Sequence, residues 1–333
     1  MHVLVTGGAG YIGSHTVREL MRAGYRVTVL DNLTRGHKAV AAILTGAEFA
    51  WGDIADGELV RRLLRSRKTE AVLHFAALSL VGESAADPAL YYQNNVVKGL
   101  ALLEAVREAG VPYFIFSSSA AVYGEPVHTP IEENHPLAPK NPYGSTKLAF
   151  EEALRWYGAA YGLKYVSLRY FNAAGADPAG DIGEDHRPET HLIPSLLQAA
   201  LGLRPPVSIF GTDYPTKDGT CIRDYIHVTD LSAAHVLALK ALQNGHPSGV
   251  YNLGNEKGYS VKEVIQTARD VTGRDFPVKE GPRRPGDPAV LVASSGRIRQ
   301  SLGWRPRYGD LGTIIRTAWK WHRRNAQGYQ DSS

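Results

Sequence analysis

Apolar residues in this chain fall into short continuous runs, and each run is followed by a stretch whose apolar positions recur every three or four residues. His2 to Thr6, Arg26 to Leu30, Phe49 to Ile54, Ala71 to Ala77, Tyr113 to Ser117 and Leu163 to Tyr170 read as strands. Runs this apolar on both sides suit a parallel sheet buried on both faces. Ser14 to Ala23, Gly57 to Ser66, Pro88 to Gly110 and the stretch from Pro142 to Tyr161 read as helices between or beside them. Alternation of this kind predicts an α/β fold with a doubly wound parallel sheet.

From Phe171 the pattern changes to a loop rich in glycine and aspartate, so a domain boundary is expected near 172. Residues 173–333 mix short strands (Val207 to Phe210, Val250 to Leu253) with helices from Val228 to Asn244 and from Val261 to Thr272. This smaller mixed α/β unit is expected to bind the substrate, with parts of 222–254 rejoining the first domain. Two domains suit a chain of 333 residues.

The first strand turns abruptly into Gly7-Gly-Ala-Gly10-Tyr11-Ile12-Gly13 and then a helix. Glycines at 7, 10 and 13 allow a tight turn, close approach of a pyrophosphate and close helix–strand contact. The helix N-terminus offers free N–H groups to phosphate. Asp31 ends the second strand, where a carboxylate accepts a ribose diol and repels a 2′-phosphate, so NAD is expected rather than NADP. Ser119 closes the fifth strand on the side where such sheets bind ligands. Tyr143 and Lys147 stand four apart after Pro142, on one face of a helix. A phenol near its ordinary pKa of ~10 is a poor base at neutral pH, and a neighbouring ammonium is expected to lower it.

Composition adds limits. The chain is 44% hydrophobic and 21% charged, with a net charge of +4 and no block of like charge, which argues against nucleic acid. A single cysteine, Cys221, excludes an internal disulfide and points to a reducing compartment. The chain opens on an apolar strand and no apolar run reaches spanning length, so a cytoplasmic protein is expected. No Cys-x-x-Cys or His-Glu-x-x-His spacing occurs, and no metal is expected.

Taken together, Gly7-x-x-Gly10-x-x-Gly13, the strand-end serine and Tyr143-x-x-x-Lys147 resemble the extended short-chain dehydrogenase/reductase family. Asp31-Asn-Leu33, Val81-Gly-Glu-Ser84, Tyr91-Tyr-Gln-Asn-Asn95, Ser117 to Gly124, Leu168 to Asn172, Asp213 to Thr216, Gly219 to Val228 and Tyr251 to Gly254 resemble its NAD-dependent branch that inverts carbon 4 of UDP-hexoses. The resemblance implies a Rossmann-type fold and interconversion of UDP-glucose and UDP-galactose in galactose metabolism. Transient oxidation at carbon 4 by tightly held NAD gives a 4-ketosugar, which turns and is reduced on its other face.

The resemblance implies that Tyr143 is the base, that Lys147 holds the nicotinamide ribose and that Ser119 hydrogen-bonds the reacting oxygen. It implies cofactor contacts at Gly7, Gly10, Tyr11, Ile12, Gly13, Asp31, Asn32, Leu33, Thr34, Arg35, Gly36, Asp53, Ile54, Phe75, Ala76, Ala77, Ser79, Asn95 and Phe171. For UDP-sugar it implies Asn172, His191, Leu192, Ser208, Ile209, Phe210, Arg223, the stretch from Arg284 to Asp287, and Leu291. A homodimer joined through the helices Pro88 to Ala109 and Tyr143 to Tyr161 is also implied.

Three positions depart from the family pattern. Ser79 stands where a phosphate-binding lysine is frequent, and His191 replaces a frequent asparagine. Leu291 is intermediate between a restrictive tyrosine and a small residue that admits N-acetylated sugars. A sugar-nucleotide 4,6-dehydratase usually carries Asp-Glu where this chain has Ala120 and Ala121, which have no acid–base chemistry.

Overall fold

The computed structural model describes residues 1–284 and 286–331. Its strands are β1 (His2–Thr6), β2 (Arg26–Asp31), β3 (Glu48–Trp51), β4 (Ala71–His74), β5 (Tyr113–Ser119), β6 (Lys164–Tyr170) and β7 (Asn172–Ala174). Then come β8 (Val207–Phe210), β9 (Ile222–His227), β10 (Gly249–Leu253), β11 (Gly258–Ser260), β12 (Val278–Gly281) and β13 (Val290–Leu291). The helices begin with α1 (Tyr11–Arg22), α2 (Ala39–Ile43), α3 (Gly57–Ser66), α4 (Val81–Ala86), α5 (Pro88–Tyr91) and α6 (Lys98–Glu108). They continue with α7 (Pro142–Tyr161), α8 (Leu192–Ala200), α9 (Val228–Gln243), α10 (Val261–Thr272), α11 (Gly296–Leu302) and α12 (Leu311–Arg324).

Seven parallel strands form the main sheet in the order β10-β6-β5-β4-β1-β2-β3. The apolar runs explain it. Val3 and Val5 face one core with Val17 of α1 and Leu231 of α9, while Leu4 between them faces another with Leu102 of α6 and Phe150 of α7. Strand order reverses between β1 and β4, so the crevice beyond their carboxyl ends is where such a sheet receives a ligand. The expected sheet and its helices are therefore present, and β10 joins it from late in the chain.

A separate apolar cluster ties α8, α10 and α12 to β8, through Leu196, Val264, Ile314 and Ile209. Strand β9 links the two regions. It pairs with β7, β11 and β13, while α9, which follows it directly, packs on α1.

Two expected elements differ. Helix α1 begins at Tyr11 rather than Ser14, because the chain enters the helix directly from Gly10. The long helix from Pro88 is interrupted by a π-helical turn over Tyr92–Val97. Such turns recur at functional sites, and this one holds buried Asn95. The stretch around Arg284 was expected to be one contact surface; Pro285 within it lies outside the described residues.

Candidate active site

Helix α7 is built from its own first residues. Asn141 accepts a hydrogen bond from the Gly144 N–H at 2.8 Å, and Pro142 fills the first helical position. Gly144 is required for close approach, since a Cβ there would lie 2.4 Å from the Ala121 carbonyl oxygen. The helix thereby lies against the segment just past β5, with Tyr143 and Lys147 both buried.

Tyr143 packs with Leu78 and Tyr91, and its phenol lies beside Ser119, whose oxygen accepts the Ala121 N–H at 3.1 Å. Lys147 Nζ donates to the Ser117 carbonyl at 2.8 Å and stands 5.8 Å from the Tyr143 ring centre. The three residues meet at the end of β5. The expected tuning is not what the protein alone provides, however. Burial pushes the Tyr143 phenol above its ordinary value, against the Ser119 hydroxyl beside it. Burial also brings Lys147 down to about 7, with the Glu151 carboxylate opposing. A desolvated lysine near neutrality holds its charge weakly, and this one points to a carbonyl rather than to the phenol oxygen.

Beneath the pair lies a network that spacing did not reveal. Glu151 accepts from Ser118 Oγ and from Arg169, and both members of the Glu151–Arg169 pair are buried. Tyr170 shares a hydrogen bond with Ser117. Side chains so fixed hold Lys147 and the strand end in place.

The glycine-rich loop lies at the mouth of the crevice. Gly7 has φ +74°, and a Cβ there would meet the Ala76 nitrogen at 2.6 Å; at Gly13 it would meet the Gly7 oxygen at 2.1 Å. At Gly10, by contrast, the only neighbour is the Gly7 oxygen at 3.4 Å. Gly10 caps α1 without a side-chain hydrogen bond, which leaves the first-turn N–H groups to an anion. Tyr11 donates to the Gly175 carbonyl at 2.7 Å, and Ile12 packs on the core.

Asp31 is buried and accepts the N–H groups of Ala9 at 2.9 Å and Leu33 at 2.8 Å. Burial raises its pKa against those two donors. Leu33, Thr34, Arg35 and Gly36 continue from it, and a Cβ on Gly36 would lie 2.9 Å from Asp31 Oδ1. Arg35 is paired with Glu83 at 2.6 Å. Asn32 donates to Asp53 at 3.0 Å, and Lys98 donates to the same carboxylate at 2.6 Å. Ile54 is buried beside Val60 and Leu64.

After β4, Phe75 packs on His235 at 4.8 Å, and Ala76 and Ala77 lead to Leu78 and exposed Ser79. Asn95 secures this loop, accepting the Leu78 N–H at 2.9 Å and donating to its carbonyl at 3.0 Å. Its amide is occupied by backbone, so its influence on a ligand runs through residues 75–79. These features fit a dinucleotide: uncapped N–H groups, a tight glycine approach and a buried carboxylate converge on one crevice.

The other half of the site assembles around β9. Asn172 of β7 donates to the Asp224 carbonyl at 2.8 Å, and Leu291 of β13 pairs with Arg223. Leu291 and Phe171 pack together on Ala120, Val122 and Ile131, beside Ser119. Arg223 is paired with Asp287, and Arg284 lies 4.0 Å over the Phe210 ring. Ser208, Ile209 and Phe210 line up on β8, of which Ile209 is buried.

His191, for which the resemblance implies a UDP-sugar contact, stands beside two carboxylates. Its Nδ1 lies 2.8 Å from Glu184 and 3.3 Å from Glu189, just before Leu192 opens α8. Partial burial of the ring nitrogen opposes charge on His191, whose side chain is otherwise half exposed, but the two carboxylates outweigh it and raise the imidazole to about 10. Its charge is therefore neutralised locally.

Comparison with known proteins bears on these features. Residues 3–254 match the model of the NAD dependent epimerase/dehydratase family. A UDP-glucose 4-epimerase of Halalkalibacterium halodurans is 55% identical over 329 residues, covering 99% of this chain and 98% of that protein. The crystal structure of a UDP-glucose 4-epimerase from Brucella ovis in complex with NAD superposes with TM-score 0.93 at 48% identity, covering 96% of this chain and 97% of that one. The enzyme from Bifidobacterium longum, solved in complex with NAD+ and UDP, gives TM-score 0.94 at 38% identity over 99% and 100%. Fold, glycine-rich crevice and full-length similarity thus lead to one conclusion: this chain belongs to the NAD dependent epimerase/dehydratase family.

Proposed function

We propose that this chain is an NAD-dependent isomerase that interconverts UDP-glucose and UDP-galactose by transient oxidation at sugar carbon 4. The observation that carries this reading is the buried Tyr143 phenol, which lies beside Ser119 and Lys147 at the end of β5. Bound NAD supplies reversible two-electron oxidation at the sugar carbon. Gly7, Gly10 and Gly13 give its phosphates room, and Asp31 takes the adenosine ribose.

Tyr143 accepts the proton of the sugar 4-hydroxyl while Ser119 fixes that oxygen. Burial alone keeps the phenol protonated, so the phenolate depends on positive charge in the crevice, from Lys147 and from the oxidised cofactor ring. Arg223 and Arg284 suit the diphosphate, because guanidinium binds phosphate oxygens bidentately. Leu291 and Leu78 present apolar surface to the hexose, a loose contact that permits it to turn. Leu291 is shorter than tyrosine and only partly buried, so the reading extends to UDP-N-acetylglucosamine and UDP-N-acetylgalactosamine.

On this reading residues 1–172 with 222–254 serve the cofactor, and the rest of 173–333 serves the UDP-sugar. The apolar stripe on α5, α6 and α7 divides: Leu103 and Leu154 are buried, while Leu90, Val97, Leu100, Trp156 and Tyr161 are exposed. Apolar side chains exposed on two adjacent helices support a homodimer formed there. Cys221 is free and buried, in keeping with a reducing, cytoplasmic setting. Among the described residues no helix is long and apolar enough to cross a membrane.

The experiment is turnover of purified protein on UDP-galactose and UDP-N-acetylgalactosamine side by side, without added cofactor. Formation of UDP-glucose supports the reading. Protein that carries NAD yet converts neither sugar overturns it.

A further inference from the structure

Away from the catalytic residues, one loop gathers more ligating atoms than its fold requires. Glu184, His186, Glu189 and His191 precede α8 within a short segment, and each offers one atom within 4.8 Å of the others. His191 Nδ1 lies 2.8 Å from Glu184 and 3.3 Å from Glu189. His186 Nδ1 lies 3.3 Å from Glu184 and 3.6 Å from Glu189. Nitrogen and oxygen ligands about 2.0–2.2 Å from a tetrahedral zinc stand roughly 3.3–3.5 Å from one another. The last three of these separations are close to that spacing.

Ion pairing alone does not account for the cluster. The Glu189 side chain is 4% exposed, yet among the described residues its Oε2 has no hydrogen-bond partner, and neither has the His186 Nδ1 that lies 3.6 Å from it. Buried polar atoms are almost always partnered. Two that face one another unbonded share a position suited to a cation that both ligate.

We propose that Glu184, His186, Glu189 and His191 form a binding site for one divalent transition-metal ion of the zinc type. Two imidazoles disfavour magnesium and calcium, which prefer oxygen ligands, and two carboxylates match the charge of a dication. His191 is 47% exposed, which gives an ion access from solvent. The site also has a structural consequence. The His186 ring meets Tyr11 of the glycine-rich loop edge-on at 6.2 Å, and His191 caps α8. An ion here joins the start of α8 to the loop beside the cofactor crevice. The spacing Glu-x-His-x-x-Glu-x-His belongs to none of the common zinc patterns sought in the sequence.

The test uses the full-length protein as purified, dialysed against a chelator. Zn2+ is titrated against a chromophoric competitor, and Co2+ is added separately as a reporter of tetrahedral geometry. Expected are one ion per chain, an intense visible Co2+ band and a higher melting temperature with one equivalent of Zn2+. Glu189→Gln and, separately, His186→Gln each weaken binding by ~100-fold or more, since even outer partners of a metal site contribute 10–100-fold. Circular dichroism establishes which variants are folded, and either folded variant suffices. Failure of the parent protein to bind, or binding unchanged in a folded variant, overturns the proposal.

Discussion

The two halves of the crevice are constructed differently. On the β1–β5 side, each candidate residue follows directly from a strand end or a helix start: Gly7 to Gly13, Asp31, Ser119, then Tyr143 and Lys147. On the β9 side, Asn172, Arg223 and Leu291 come from three distant segments, brought together by β7–β9 and β13–β9 pairing. The loop of the first half is enforced at Gly7 and Gly13 by backbone contacts that leave no space for a Cβ. The second is held by side-chain pairs such as Arg223–Asp287 and the Arg284–Phe210 stack. A site made by backbone fails abruptly when changed, and one made by side-chain pairing changes by degrees.

The sharpest way to break that comparison is Gly13→Ala. Its Cβ would meet the Gly7 oxygen at 2.1 Å and the Gly8 Cα at 2.9 Å. We expect a cost of at least ~3 kcal/mol and protein purified without NAD, measured by melting and by cofactor content after denaturation. Full retention of both would show the loop to be tolerant.

Lys147→Met probes the same half through pH. The folded pKa of about 7 lies below the ordinary 10.5, so the unfolded chain binds the extra proton between those values. Stability from this group therefore rises as pH rises from 7 to 10.5, and at neutral pH the buried lysine is a cost. The methionine variant is expected to be more stable by about 1–4 kcal/mol at pH 7, with the gain shrinking toward pH 10. Denaturant titrations at both pH values decide it; a less stable variant at pH 7 contradicts the argument.

On the β9 side, Arg223→Lys retains charge but loses the planar fork. KM for UDP-sugar is expected to rise about 10-fold, in line with the 1.5–3 kcal/mol of hydrogen bonds to charged groups, while NAD content stays constant. Leu291→Ala has the smallest effect, a shift of kcat/KM of about 5–10-fold toward acetamido sugars, the low end of the ~1–3 kcal/mol that one methylene contributes in an apolar pocket. An abrupt loss of all activity in either variant would erase the distinction between the halves.

This contrast also explains what was legible. The sheet is legible in its apolar runs, and the glycine-rich loop and α7 are legible because the Gly7 turn and the Asn141–Pro142 helix start are written in consecutive residues. Helices α8 and α12 were not anticipated, since their apolar faces have meaning only against one another. The π-turn at Asn95 depends on the Leu78 backbone, which no local spacing records. Burial, a property of the whole fold, raises the Tyr143 phenol in the chain alone, and a four-residue spacing does not record it. The carboxylates of Glu184 and Glu189 beside His191 carry no signal until the loop closes.

The central claim is that the Tyr143 oxygen takes the sugar proton. The direct measurement is the rate of UDP-galactose conversion by Tyr143→Phe, with bound NAD and UDP affinity measured on the same preparation. The account predicts a fall of about 10²–10⁴-fold in kcat, the usual contribution of a positioned acid–base group, with both ligands still held. A rate within twofold of the parent protein's, with NAD bound, would contradict it.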